Sequence, residues 1–101
     1  MAFLIIKDES GAERRTELQP LPFKIGKKAG SNHLVLDHVS ISREHCVFTR
    51  EHGAFGVLDM ESRNGTWLNG RRLPNGAEAA LPDRAEIRVA EVITLSFEAH
   101  K

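Results

Sequence analysis

The chain has 101 residues, enough for one hydrophobic core and too few for two. A composition of 41% hydrophobic and 28% charged residues is too apolar for intrinsic disorder, and no run approaches the roughly 20 apolar residues of a membrane span. The 14 basic and 14 acidic residues cancel, so nothing global points to nucleic acid or to an anionic membrane, and any functional charge must be local.

The opening MAFLIIKDES has a short apolar run, no basic leader and an early acidic pair; no signal peptide is expected, and a cytoplasmic location is the default. From there the apolar residues fall in short runs and not at helical spacing. In chain order these are FLIIK from Phe3, FKIGK from Phe23, HLVL from His33, HCVFTR from His45, FGVLDM from Phe55, TWLNG from Thr66, AEIRVA from Ala85 and VITLSF from Val92. Turn formers separate them: Ser10-Gly11, Pro20 and Pro22, Ala29 to Asn32, Gly53, Asn64-Gly65, Asn69-Gly70, Pro74-Asn75-Gly76 and Pro82-Asp83. Short strands at this spacing predict an all-β sandwich or barrel over Phe3 to Glu98, with the chain ends close together. GAERRTELQPLP reads as a polar hairpin leading into Phe23, and GAEAAL is the one stretch that suits a helical turn. The single Cys46 has no partner at disulfide or metal spacing and sits in an apolar run, where it is expected to be core.

Six of the 14 cations sit in four of the loops: Lys27, Lys28, Arg43, Arg63, Arg71 and Arg72. In an antiparallel sandwich, alternate connections emerge at the same end, so these loops can converge into a basic patch on a neutral protein. Ser42 and Asn64 lie in the same loops, and hydroxyl, guanidinium, ammonium and turn N–H groups together are the donors a phosphate group takes. Arginine-rich polar loops are also ordinary protein surface, so composition alone does not decide between the two. The two Asn-Gly pairs in SRNGTWLNG predict tight turns on either side of a very short strand.

The order of these residues is more specific. FKIGKKAGSNHLVLDHVSISREHCVF followed by DMESRNGTWLNGRRL resembles the forkhead-associated (FHA) domain, through Gly26-Lys27, Ser42-Arg43-Glu44-His45, Asn64-Gly65-Thr66 and Asn69-Gly70. The resemblance runs from about Phe23 to Leu73. It implies a sandwich of two antiparallel sheets with about eleven short strands, forming a single domain over residues 1–101. It further implies a non-catalytic module that binds phosphothreonine-containing peptides or proteins through loops at one end, in kinase-dependent signalling, with no cofactor, nucleic acid or membrane. By resemblance the peptide-binding residues are Lys27, Ser42, Arg43, Arg63 and Asn64. Ser42 would bind phosphate, with Arg43 a further donor; Asn64 would hold the peptide backbone and Arg63 would sense a later residue. Gly26, His45, Gly65, Thr66, Asn69 and Gly70 would shape the loops, His45 as the buttress. The departure is Lys27, where the family usually has arginine: lysine keeps the charge and loses the planar fork of donors.

Other readings are weaker. Ser42, His45 and Asp59 supply the residue types of a hydrolytic triad, but no nucleophile elbow surrounds Ser42. GKKAGS lacks the Gly-Lys-Ser/Thr ending of a phosphate loop, and His33, His38, His45, His52 and His100 show no metal-ligand spacing. The alternative of a different class is a phospho-independent interaction or self-association module, with Val47 or Trp67 as exposed apolar contacts. The chain is expected to act as a monomer or as part of a larger protein.

Overall fold

Alternation of apolar residues sets the first and last strands. In β1 (Ala2–Lys7) Ala2, Leu4 and Ile6 point inward, and in β11 (Ile93–Ala99) Ile93, Leu95 and Phe97 do the same. The two pair antiparallel over their full length, Ala2 opposite Ala99 and Lys7 opposite Thr94, which brings the ends of the strand region together. The computed structural model describes residues 1–99; His100 and Lys101 lie outside the described residues. Nine further strands complete two sheets: β2 (Glu13–Glu17), β3 (Phe23–Gly26), β4 (Leu34–Val35), β5 (Cys46–Glu51), β6 (Ala54–Asp59), β7 (Thr66–Leu68), β8 (Arg71–Arg72), β9 (Glu78–Ala80) and β10 (Glu86–Val89). One sheet runs β2-β1-β11-β10-β7-β8 and the other β4-β3-β5-β6-β9.

The chain is therefore all-β, as expected, with one difference in pairing. The ladders are antiparallel except for the short β3–β4 pair, where Ile25 and Gly26 lie beside Leu34 and Val35 in parallel register. That pairing follows from the tight loop 27–33, which returns the chain beside β3, with the His33 N–H donating to the Lys24 carbonyl at 2.9 Å, instead of reversing as a hairpin. GAEAAL is not helical: Glu78–Ala80 forms β9 at the edge of the second sheet, held against β6 by Gly56↔Ala80 and Leu58↔Glu78. A Thr49 hydroxyl donating to Glu78 Oε2 at 2.6 Å fixes it further. Local helix preference of a few tenths of a kcal/mol per residue loses to a ready-made strand edge.

The core lies between the sheets. Leu4, Ile25, Phe48, Val57, Ile87 and Leu95 are fully enclosed, and the Phe97 ring meets Phe55 in a tilted pair at 5.1 Å. Cys46 belongs to this core, where burial pushes its thiol up to about 12, so it stays protonated and inert. Val47 is not the exposed contact anticipated: it is buried on the outer face of its sheet, between its cross-strand partners Lys24 and Leu58. Trp67 is half-buried beneath Arg72, whose guanidinium carbon stands 5.4 Å from the ring centre.

The packing predicts a sharp contrast under urea. Phe97→Ala should cost about 3 to 5 kcal/mol of unfolding free energy through the cavity it leaves. Val39→Ala, at a side chain 86% exposed, should change it by less than about 0.5 kcal/mol.

Candidate functional site

The site is assembled at the end of the sandwich where Gly26 leaves β3, His45 enters β5 and Asp59 leaves β6. Three loops meet there. The N–H groups of Lys27 and Lys28 donate to the carbonyls of Ser42 (2.9 Å) and Arg43 (3.2 Å), which fastens the first loop to the second. This approach is possible because residue 26 has no side chain: a Cβ there would overlap the Arg43 carbonyl and meet Asn32 Oδ1 at 2.8 Å. Asn32 clamps the same junction, its amide donating to the carbonyls of Lys28 (2.9 Å) and Arg43 (2.7 Å).

The second loop is joined to the third by Ser42 and His45. The Arg63 N–H donates to Ser42 Oγ at 3.0 Å. Below it, His45 is fully buried; its Nδ1 accepts the Ser42 N–H at 3.1 Å and its Nε2–H donates to the Gly65 carbonyl at 2.8 Å. Those roles require a neutral imidazole with the proton on Nε2. Burial holds the His45 pKa below the usual histidine value, against the opposing pull of the Gly65 carbonyl and the Asp59 charge.

The third loop is shaped by Asp59. Its carboxylate accepts the Ser62 N–H (3.0 Å), the Ser62 hydroxyl (2.5 Å) and the Thr66 hydroxyl (2.7 Å), and Ser62 Oγ in turn accepts the Gly65 N–H at 3.0 Å. Gly65 has φ +88°, and a Cβ on it would press into the Arg72 guanidinium. Asn64 reaches across to the second loop, its amide donating to the Ser40 carbonyl at 2.7 Å.

The residues anticipated from the sequence are thus brought together unevenly. Gly26, Lys27, Ser42, Arg43, His45, Arg63, Asn64, Gly65 and Thr66 share this end, linked by the bonds just described. Asn69 and Gly70 do not: they make the β7–β8 hairpin at the far end, with φ of +48° and +84°, where Asn69 Oδ1 accepts the Glu86 N–H at 2.8 Å. Arg71 pairs with Leu68 beside that far hairpin, whereas Arg72 lies against Gly65. Asp59 and Asn32 were missed as loop organisers; an acid three residues before a serine in a turn is the local signal that points to the first.

Neither rival chemistry is built. The two ring nitrogens of His45 are committed to backbone groups, so the ring does not serve the Ser42 hydroxyl as a base, and Asp59 is engaged by Ser62 and Thr66. His33 and His38 likewise accept backbone N–H groups at Nδ1, from Lys24 (2.9 Å) and Ser40 (3.0 Å). Among the described residues no cluster of His, Cys, Asp or Glu could hold a metal ion, and no helix is long and apolar enough to cross a membrane. His100 falls outside the described residues.

Rigid, cross-linked loops carrying hydrogen-bond donors at one end of a sandwich define a recognition module. Residues 23–90 match the model of the FHA domain, and the chain belongs to that family. It is 36% identical over 75 residues to the oxoglutarate dehydrogenase inhibitor of Corynebacterium diphtheriae, covering 74% of this chain and 50% of that protein. It is 33% identical over 95 residues to the glycogen accumulation regulator GarA of Mycolicibacterium smegmatis, covering 94% of this chain and 59% of the relative. The chain therefore spans only about half to three fifths of the length of these relatives. Among solved structures, the MEK1 FHA domain superposes with a TM-score of 0.82 at 28% identity, over 98% of this chain and 89% of the other. The FhaA FHA domain, solved with the intracellular domain of Rv3910, gives 0.80 at 23% identity, over 97% and 100%, a likeness of fold.

The state of His45 generates a prediction with a definite sign. Its pKa is lower folded than unfolded, so its contribution to stability is complete above the ordinary histidine value of about 6.5 and is lost as pH falls from there through the folded value. Urea unfolding of the free domain should weaken across that window. His45→Asn should be less stable at neutral pH and show a flatter pH dependence there; equal slopes for the two proteins would contradict the assignment.

Proposed function

We propose that the chain is a non-catalytic protein-interaction module that binds phosphothreonine-containing segments at the end formed by the three loops. One observation carries the reading. Lys27, Lys28, Arg43, Arg63 and Arg72 are exposed around Ser42 and Asn64, and none of them is neutralised by an ion pair among the described residues. Unpaired cations held by a cross-linked backbone, beside a hydroxyl and an amide, suit a doubly charged phosphate with three strong acceptors. In this reading Ser42, Lys27 and Arg43 take the phosphate, Asn64 the peptide backbone and Arg63 a residue further along.

Related FHA domains point the same way for those proteins. One, at 22% identity, makes phosphothreonine-dependent interactions, and another, EmbR of Mycobacterium tuberculosis, has been solved in complex with a low-affinity phosphopeptide. Residues 1–101 then act as one unit, in the cytoplasm, where a threonine kinase would license the partner. The phospho-independent alternative loses Val47, which is buried, and keeps in Trp67 only a half-buried ring beneath Arg72.

Fluorescence polarisation with matched peptides tests the reading. Phosphothreonine should bind in the micromolar range, about −8 kcal/mol, with threonine and phosphoserine counterparts much weaker. Ser42→Ala and Arg43→Ala should each cost about 1.5 to 3 kcal/mol of binding without unfolding the domain. Equal affinity for phosphorylated and unphosphorylated peptides would sink the proposal.

Lys27 offers a second test. Its N–H is tied to the Ser42 carbonyl, which fixes its backbone beside the proposed phosphate-binding serine. Lys27→Arg should raise affinity by at most about tenfold, roughly 1.4 kcal/mol, by adding a fork of donors. Lys27→Ala should lower it, less so as salt is added. Titrations in which neither substitution changed affinity would remove Lys27 from the phosphate.

A further inference from the structure

The Ser40 backbone is gripped from two sides, and one grip starts in a part of the chain with no assigned role. The β1–β2 hairpin, Asp8 to Ala12, sits at the same end of the sandwich as the three loops. From it Glu9 Oε1 accepts the His38 Nε2–H at 2.8 Å, and His38 Nδ1 accepts the Ser40 N–H at 3.0 Å. The Ile41 N–H closes a turn onto the His38 carbonyl at 3.0 Å, leaving Val39 at the exposed tip. On the other side of the same residue, the Ser40 carbonyl receives the Asn64 amide at 2.7 Å. A continuous path of hydrogen bonds therefore runs from Glu9 through His38 and Ser40 to Asn64.

We propose that Glu9 and His38 are positioning residues of the binding site, through which the β1–β2 hairpin sets the placement of Ser40 and, across it, the orientation of Asn64. The proposal rests on the phosphothreonine reading above. The physical case is one of direction. With Nδ2 engaged by Ser40, the Asn64 side chain cannot rotate freely, and its Oδ1 is left to a ligand. Ser40 can serve as that anchor only if its own peptide group is fixed, and residue 40 lies in a loop of ten residues, 36 to 45, with no strand pairing of its own. His45 fixes the loop at Ser42, and from the hairpin side the hydrogen bond that reaches residues 38 to 40, among the described residues, is the one Glu9 makes to His38. His38 acts in the same way as His45, with Nδ1 accepting a loop N–H and Nε2 donating to a neighbouring segment. A loop held at two points is preorganised, which lowers the ordering cost of binding.

The surroundings of His38 suit this use. Asp8, Glu9, Glu13, Arg14 and Asp37 line the cleft of about 420 Å³ that the ring faces, over a floor that includes Ile6 and Leu36. Of these, Glu9 alone bonds the imidazole, at the nitrogen opposite the one that takes Ser40.

The test pairs an NMR readout on the free domain with phosphopeptide titration. In His38→Ala and Glu9→Ala the Ser40 backbone amide and the Asn64 side-chain amide should shift and exchange faster with solvent, while Asn69 at the far end stays put. Phosphopeptide affinity should fall about three- to tenfold in both, the range expected for one lost hydrogen bond. His38→Asn, which returns an acceptor near the position of Nδ1, should recover much of the loss, and Glu9→Gln, which keeps an acceptor, should lose less than Glu9→Ala. A general loss of packing would not be rescued in that pattern. Unmoved Ser40 and Asn64 signals, or His38→Ala binding as tightly as wild type, would overturn the proposal. Should the wild-type domain bind no phosphopeptide, the proposed function fails, and the NMR comparison alone decides whether the hairpin positions Asn64.

Discussion

The binding end depends on one buried imidazole. Through its ring, His45 joins the Ser42 N–H to the Gly65 carbonyl; through its backbone, it donates to Ile25 (2.8 Å) and accepts from Met60 (2.9 Å). One residue therefore binds the strand before the first loop, the second loop and both ends of the third. A fully enclosed polar ring is tolerable only because every hydrogen-bonding group on it is matched, and that completeness also makes the geometry unique. A lysine or glutamine in its place could make one of the ring bonds, but not two on opposite edges of a rigid plane.

Below His45 a second network works on the same turn from inside. Burying the Asp59 carboxylate at 1% exposure would be costly if it were bare, and two hydroxyls and one backbone N–H offset that cost. The consequence reaches the surface through Ser62, which passes the constraint to the Gly65 N–H. The division of labour follows: His45, Asp59, Ser62 and Thr66 are buried and hold shape, while Lys27, Arg43, Arg63 and Asn64 are exposed on the shape so held. Even Arg72, stacked over Trp67 and against Gly65, is placed by packing before any ligand arrives.

What could be read from the residues alone divides along the same line between pattern and contact. Each of the eight apolar segments lies on a strand, because strands that face the core must carry apolar residues. The three strands that the pattern did not reveal, β2, β8 and β9, all sit at sheet edges, where ERRTE, RR and EAA owe their conformation to the neighbour and not to burial. β2 is pinned instead by Arg15 stacking on Phe3 at 3.9 Å. Val47 was misjudged because alternation marks which side a residue faces, not whether that side is covered. At the binding end, ordered motifs marked Lys27, Ser42, Arg43, His45 and Asn64, whose spacing is local. Asn32 and the Glu9–His38 pair were not legible as loop organisers because their meaning lies in partners brought close by folding, as with Glu9 and His38, 29 positions apart.

Charge is arranged on the same principle of local order within global balance. With no net charge, the domain cannot draw an anionic partner from afar, and at physiological salt exposed charges act over only about 8 Å. Attraction must then come from the few cations that the loops bring together, while Asp8, Glu9, Glu13 and Asp37 gather on the cleft beside them. A weak, short-ranged field cannot compensate for a poorly placed donor. In the proposed function, selectivity at this end therefore rests on how firmly Ser42, Asn64 and the backbone around them are held by the hydrogen bonds that join loop to loop.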